Sequence, residues 1–180
     1  EISSLGRLKS LKRFNNLYGE TFTIPQAVAQ KEGARIMGLD DPIKKMSKSA
    51  ENSFNYLALT DEPDLIKEKI KKAVTDSGKE IIYDKKKKPG VSNLLEIYSL
   101  LSEKPIKKLE KEYQGKNYGE FKNDLADIVI KFLLPFQKEF KKLKENPKGV
   151  REILKEGEKK ARAIAQKTIV EVKNKIGLDY

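Results

Sequence analysis

Lys44-Lys45-Met46-Ser47-Lys48-Ser49 follows Asp41-Pro42-Ile43 and precedes Ala50-Glu51-Asn52. Three lysines and two hydroxyls fall within these six residues. Asp40-Asp41-Pro42 sets a sharp turn in front of them. No helical apolar face follows, so the stretch reads as a mobile surface loop. Such a loop can wrap a polyphosphate: ammonium groups supply point charge, while hydroxyls and backbone N–H groups supply short hydrogen bonds. In phosphoryl or nucleotidyl transfer, charge builds up on the phosphate oxygens. Lysines already in place stabilise that charge more in the transition state than in the ground state. A Lys/Ser loop in a lysine-rich chain is more often plain solvated surface. Met46 argues against that here. It is one of only two methionines, and an exposed loop rarely sets an apolar residue between lysines.

Upstream, residues 33–39 (GARIMGL) carry small residues at the flanks and an apolar centre. The pattern predicts a buried strand leading into the lysine loop. Arg35 is either a surface charge or an addition to the charge of the same pocket. Thr21-Phe22-Thr23-Ile24 alternates polar and apolar before Pro25, which predicts a short strand. Phe14, Leu17 and Tyr18 continue a helical face begun by Ile2, Leu5, Leu8 and Leu11, and Gly19 is the predicted stop.

Downstream the composition changes. Thr60-Asp61-Glu62-Pro63 opens a helix through Leu65, Ile66, Ile70 and Val74. Lys85-Lys86-Lys87-Lys88-Pro89-Gly90 reads as an exposed turn, either solvated or in contact with a phosphate backbone. Helices follow from Ser92, from Pro105, from Tyr118 to Lys144 and from about Lys148 to Gly177. Pro135 inside the third should kink or break it. Aromatic residues at helical spacing are read as core.

The chain has 180 residues and a net charge of +11, which favours a polyanionic partner, nucleic acid first and an acidic membrane surface second. The same charge is also consistent with a lysine excess that serves no partner. With no cysteine, a disulfide framework and a thiolate zinc site are excluded. With no histidine, so are histidine-based triads, general bases and metal ligands. No apolar run approaches the roughly 20 residues of a membrane span, and the expected location is cytoplasmic.

Residues 13–19 (RFNNLYG), 33–39, 41–49 (DPIKKMSKS), 72–77 (KAVTDS), 90–95 (GVSNLL) and 118–122 (YGEFK), with Ala126-Asp127, resemble the C-terminal half of bacterial tryptophanyl-tRNA synthetases. Lys-Met-Ser-Lys-Ser is similar to the signature loop of class I aminoacyl-tRNA synthetases. The likeness covers about residues 13–180. It implies that Lys45, Met46, Ser47, Lys48 and Ser49 close over ATP. Lys48 would grip the pyrophosphate as the tryptophan carboxylate attacks the α-phosphate, and Lys45 would share that charge. Ile36 and Met46 would meet the adenine. It also implies Mg²⁺ carried with ATP, no structural metal, tRNA(Trp) as partner and a homodimer. The histidine signature and most of the tryptophan pocket lie in the family's N-terminal half, which this sequence does not match. Residues 1–12 do not resemble what precedes the 13–19 block in the family, and Ala50 stands where an acidic residue is common.

The expected fold is an α/β remnant, the C-terminal part of a Rossmann-like nucleotide-binding fold, over residues 1–56. A mainly α-helical anticodon-binding domain is expected over residues 57–180. The first functional expectation is part of a tryptophan–tRNA ligase, inactive alone. The second is a non-catalytic, basic, helical tRNA-binding module. The third is a helical interaction protein whose charge serves solubility.

Overall fold

A computed structural model describes residues 2–26, 28 and 35–178, with side chains from residue 6 onward apart from Arg7. Among the described residues the helices are α1 (Ile2–Tyr18), α2 (Pro63–Lys72), α3 (Pro89–Ser102), α4 (Ile106–Glu112), α5 (Tyr118–Glu145) and α6 (Pro147–Ile176). A single 3₁₀ turn spans Ser53–Asn55. Extended pairing among the described residues is limited to two isolated antiparallel bridges, Met37 with Lys45 and Asp84 with Lys88. The chain divides into two compact units, residues 1–28 with 143–180, and residues 29–142.

The unit 29–142 is built around α3. Pro89 occupies the first turn of α3, so the helix begins three residues before the predicted Ser92. Proline fits there because its missing N–H would have had no helical partner. Gly90 is required by packing: a Cβ there would stand 2.6 Å from the carbonyl oxygen of Val74. Every residue from Gly90 to Ser99 is buried. Ile66 and Ile70 of α2, Leu109 of α4, and Phe121, Leu125, Val129 and Leu133 of α5 complete the core. Each such side chain contributes about 1.5–3 kcal/mol of burial free energy. Leu39 shares this core, so packing runs across residue 56 without a break.

Rings fill the far end of α3. Tyr98 stacks on Phe121 at 5.8 Å and Tyr113 meets Phe121 edge-on at 5.0 Å. Their hydroxyls are satisfied in series: Tyr113 donates to Asp124 at 2.6 Å and shares a 2.9 Å hydrogen bond with Tyr98. The expectation of aromatic core holds for these rings. It does not hold for Phe132, Phe136 and Phe140, which are exposed on α5. Helical spacing identifies a face of the helix and does not say what covers it.

The end of α2 is closed from α5. Lys122 Nζ donates to the carbonyls of Lys71 at 3.0 Å and Ala73 at 2.7 Å, which lack helical donors. Burial holds the Lys122 ammonium below its ordinary pKa. From the last turn of α2, Lys69 Nζ reaches back to Asp61 Oδ2 at 2.6 Å and the Tyr56 carbonyl at 2.9 Å, both partners of the ion pair being buried. Pro135 lies within a continuous α5, so the predicted break does not occur.

In the other unit, Gly19 ends α1 with a φ of +81°, a conformation that favours glycine. Asn15 then turns the chain back. Its Nδ2 donates to the Phe22 carbonyl at 2.8 Å, and its Oδ1 accepts from the N–H groups of Phe22 at 2.9 Å and Thr21 at 3.3 Å. The strand predicted at 21–24 does not form: the Thr21 and Phe22 backbone groups bond to a side chain, and no ladder partner faces them among the described residues. Of the strand predicted at 33–39, residues 33 and 34 lie outside the described residues, and the rest holds one bridge. Helix α6 is capped by Asn146, whose side chain accepts from the Gly149 N–H, and it stops at Gly177 with φ +75°. It buries none of its residues, and Ile153, Leu154 and Ile164 are 62–70 % exposed.

Candidate functional site

The lysine loop is closed at its stem by backbone pairing. The Met46 N–H donates to the Ile36 carbonyl at 3.0 Å, and the Gly38 N–H donates to the Lys44 carbonyl at 2.8 Å. Ile36 and Met46 are half-buried and pack against the core. Met46 thus has a structural account: its side chain anchors the loop while its neighbours face water.

The turn expected from Asp40-Asp41-Pro42 is present. Asp41 Oδ1 accepts from the Ile43 N–H at 3.1 Å, and its carboxylate pairs with Lys44 at 3.2 Å. These contacts hold the Asp41 carboxyl below its ordinary pKa, the Ile43 N–H first among them. Lys44 is therefore engaged. Lys45 and Lys48 are exposed, and among the described residues neither ammonium has a partner. Ser47 and Ser49 form the tip: the Ser49 N–H donates to Ser47 Oγ at 3.2 Å, and the Ala50 N–H to the Ser47 carbonyl at 3.1 Å. The structure therefore gathers Lys45, Met46, Ser47, Lys48 and Ser49 on one short loop with two cations that are unpaired among the described residues. Such an arrangement can bind an anion with several oxygens.

Arg35 is placed differently. It is exposed and lines an open cleft of about 440 Å³ with Met37, Ile43, Lys85, Lys86 and Glu96. The four-lysine turn is ordered by Asp84, whose Oδ1 accepts from the N–H groups of Lys86 at 2.9 Å and Lys87 at 3.0 Å. Lys85 pairs with the buried Glu96 at 2.6 Å, and Lys88 donates to the Glu80 carbonyl at 2.8 Å. The side chains of Lys86 and Lys87 form no hydrogen bond or ion pair among the described residues; their N–H groups first, and then their charges, hold the Asp84 carboxyl below its ordinary pKa.

Sequence reasoning did not single out the asparagines that hold the loop. Asn93 of α3 exchanges two hydrogen bonds with the Met37 backbone, and Asn55 accepts from the Ser47 N–H. Asn52 and Asn55 lie just after the loop in the sequence, whereas Asn93 lies far from it and carried no local signal. Among the described residues, no group of three or more acidic side chains could hold a metal ion. No described helix is long and apolar enough to cross a membrane.

The helical core, the basic loop and its stem match a known family. The profile of tRNA synthetases class I (W and Y) covers residues 5–134, and the chain belongs to that family. Within it, the chain is similar to tryptophan–tRNA ligases. It is 49% identical over 167 residues to the one from Bacillus subtilis and 48% over 167 residues to the one from Caldanaerobacter subterraneus subsp. tengcongensis. Each match covers 93% of this chain and 50% of the relative. The chain therefore spans about half the length of the curated relatives it matches.

Solved structures agree with this. Tryptophanyl-tRNA synthetase from Mycoplasma pneumoniae superposes with a TM-score of 0.83 at 30% identity, over 93% of this chain and 51% of that one. The Campylobacter jejuni enzyme, complexed with ADP and tryptophan, superposes with a TM-score of 0.68 at 31% identity, over 97% of this chain and 53% of that one.

Proposed function

We propose that the chain is the C-terminal part of a tryptophan–tRNA ligase, which activates tryptophan with ATP and transfers it to tRNA(Trp) in the cytoplasm. The observation that carries this reading is the loop: two lysines unpaired among the described residues and two serines held on a paired stem, in a chain similar to about half the length of tryptophan–tRNA ligases. In this reading Lys48 holds the pyrophosphate as it leaves, Lys45 shares its charge, and Ser47 and Ser49 donate hydrogen bonds to phosphate oxygens. These contacts strengthen as charge develops, which is where they lower the barrier. Ile36 and Met46 meet the adenine. ATP enters as its Mg²⁺ complex, the metal travelling with the substrate.

Residues 1–56 serve as the C-terminal part of the nucleotide-binding fold, and residues 57–180 as the anticodon-binding part. In this reading Lys86 and Lys87, exposed on the four-lysine turn, meet a phosphate backbone. Tryptophan binding and amino acid activation need the remainder of the relatives' length, and the active assembly is a homodimer. A non-catalytic tRNA-binding module is the second reading, favoured by the net charge of +11.

The test is binding of this chain to tRNA(Trp) and to a mismatched tRNA over a salt series. Selective binding to tRNA(Trp) supports the reading. Equal binding that falls steeply with salt leaves only charge at work. No binding at low salt removes the tRNA role of this piece.

A further inference from the structure

Asp40, Asn52 and Asn55 converge on the base of the lysine loop. Asn55 is 5% exposed and, besides the N–H bond to the Asn52 carbonyl within its own 3₁₀ turn, makes three ties. Its Oδ1 accepts from the Ser47 N–H at 3.0 Å, its Nδ2 donates to Asp40 Oδ1 at 2.5 Å, and its carbonyl accepts from the Leu39 N–H at 2.8 Å. The other Asp40 oxygen accepts from Asn52 Nδ2 at 2.6 Å. Asn52 Oδ1 in turn takes the Phe54 N–H at 3.0 Å, starting the 3₁₀ turn that delivers Asn55. Gly38 leaves the room: a Cβ there would overlap Asn55 Nδ2.

We infer that this carboxylate–amide clasp sets the position of the loop, with Asn55 as the positioning residue for Ser47. The chemistry is directional. A carboxylate offers only acceptors and can take both amide donors at once. An amide at position 40 would present one acceptor and two donors to two further donors. A carboxylate at position 55 would keep the acceptor for Ser47 but face the Asp40 carboxylate. Each single exchange therefore breaks the clasp, while exchanging both groups restores it with polarity reversed. Ser47 sits between Lys45 and Lys48, so the clasp holds the spacing at which the two ammonium groups meet an anion. This last step rests on the polyphosphate reading of the loop.

The test compares the unsubstituted chain with Asp40→Asn, Asn55→Asp and the double exchange. Two readouts are amide hydrogen exchange at Ser47 and the affinity for inorganic tripolyphosphate. Exchange across α5 serves as the fold control. Each single variant is expected to speed exchange at Ser47 about tenfold, the equilibrium equivalent of one lost hydrogen bond. Each is also expected to weaken tripolyphosphate binding severalfold. The double exchange is expected to return both to within about twofold.

A double variant no better than the singles, or an Asn55→Asp variant that exchanges like the unsubstituted chain, overturns the clasp. Lys48→Ala separates the two claims. If it leaves tripolyphosphate affinity unchanged while the exchange pattern holds, the polyphosphate reading fails and the clasp stands.

Discussion

Asn93, at the start of α3, forms a reciprocal pair with the backbone of Met37, accepting from its N–H at 2.8 Å and donating to its carbonyl at 2.9 Å. A primary amide presents the same donor and acceptor as a peptide group, so Asn93 stands where a neighbouring strand would. It joins the loop stem to the most buried helix of its unit. Asn93→Ala leaves both Met37 groups without a partner beside the core and is expected to cost about 1–3 kcal/mol. Urea unfolding gives the magnitude, and faster tryptic cleavage after Lys45 and Lys48 reports the loosened loop.

The buried Lys69–Asp61 pair holds the segment between the lysine loop and α2. Asp61 Oδ2 also accepts from the Ala58 N–H at 2.9 Å, and Gln137 of α5 donates to the Asp61 carbonyl at 2.9 Å. Lys69→Met strands a carboxylate in the interior and is expected to cost about 3–5 kcal/mol. Asp61→Asn keeps an acceptor for Ala58 and is expected to cost less. Chemical unfolding of the two variants orders them.

Two glycines should respond in opposite directions. Gly90→Ala drives a methyl into the Val74 carbonyl and is expected to destabilise by about 1–3 kcal/mol. Gly157 lies inside α6 with nothing within 4 Å of a built Cβ. Gly157→Ala is expected to stabilise α6 by about 0.5–1 kcal/mol, because alanine loses less backbone entropy in a helix. Thermal unfolding distinguishes the two.

Alkaline pH should unfold the chain through its tyrosines. Burial, and then the hydrogen bond to Asp124, push the Tyr113 pKa well above its ordinary 10.0. Burial, and then Glu96, push Tyr83 the same way. The unfolded chain then loses these protons first. Stability is complete below pH 10 and falls above it by about 1.4 kcal/mol per pH unit for each tyrosine still protonated in the fold. Lys85, raised chiefly by Glu96, adds to the loss at higher pH, while the lowered Lys122 opposes it. Tyr113→Phe should flatten the decline, which unfolding measured from pH 8 to 11 would show.

The helices and the loop were legible in the sequence because their signals are local. Proline at a first turn, glycine at a stop, and apolar residues at helical spacing depend only on near neighbours. No strand forms at 21–24, and over 35–39 the predicted strand shrinks to a single bridge, because pairing is not local. At 21–24 the partner is the side chain of Asn15, and at Met37 it is Asn93, 56 residues away. The Lys45–Ser49 loop could be read as a motif, but its supports could not: Asn55 and Asp40 gain their roles only when the 3₁₀ turn folds back under Ser47. The exposed apolar stripe of α6 was hidden for a related reason, since a periodic pattern does not say what covers it.

The most direct test of the account is tryptophan-dependent exchange of pyrophosphate into ATP, measured in an enzyme carrying this chain within the full length of its relatives. If Lys48 stabilises the departing pyrophosphate, Lys48→Ala lowers the exchange rate by about 10²–10³-fold, the loss typical of one preorganised charge-stabilising group. The KM for tryptophan and the unfolding midpoint should stay unchanged. An exchange rate within twofold of the unsubstituted enzyme would contradict the role given to the loop.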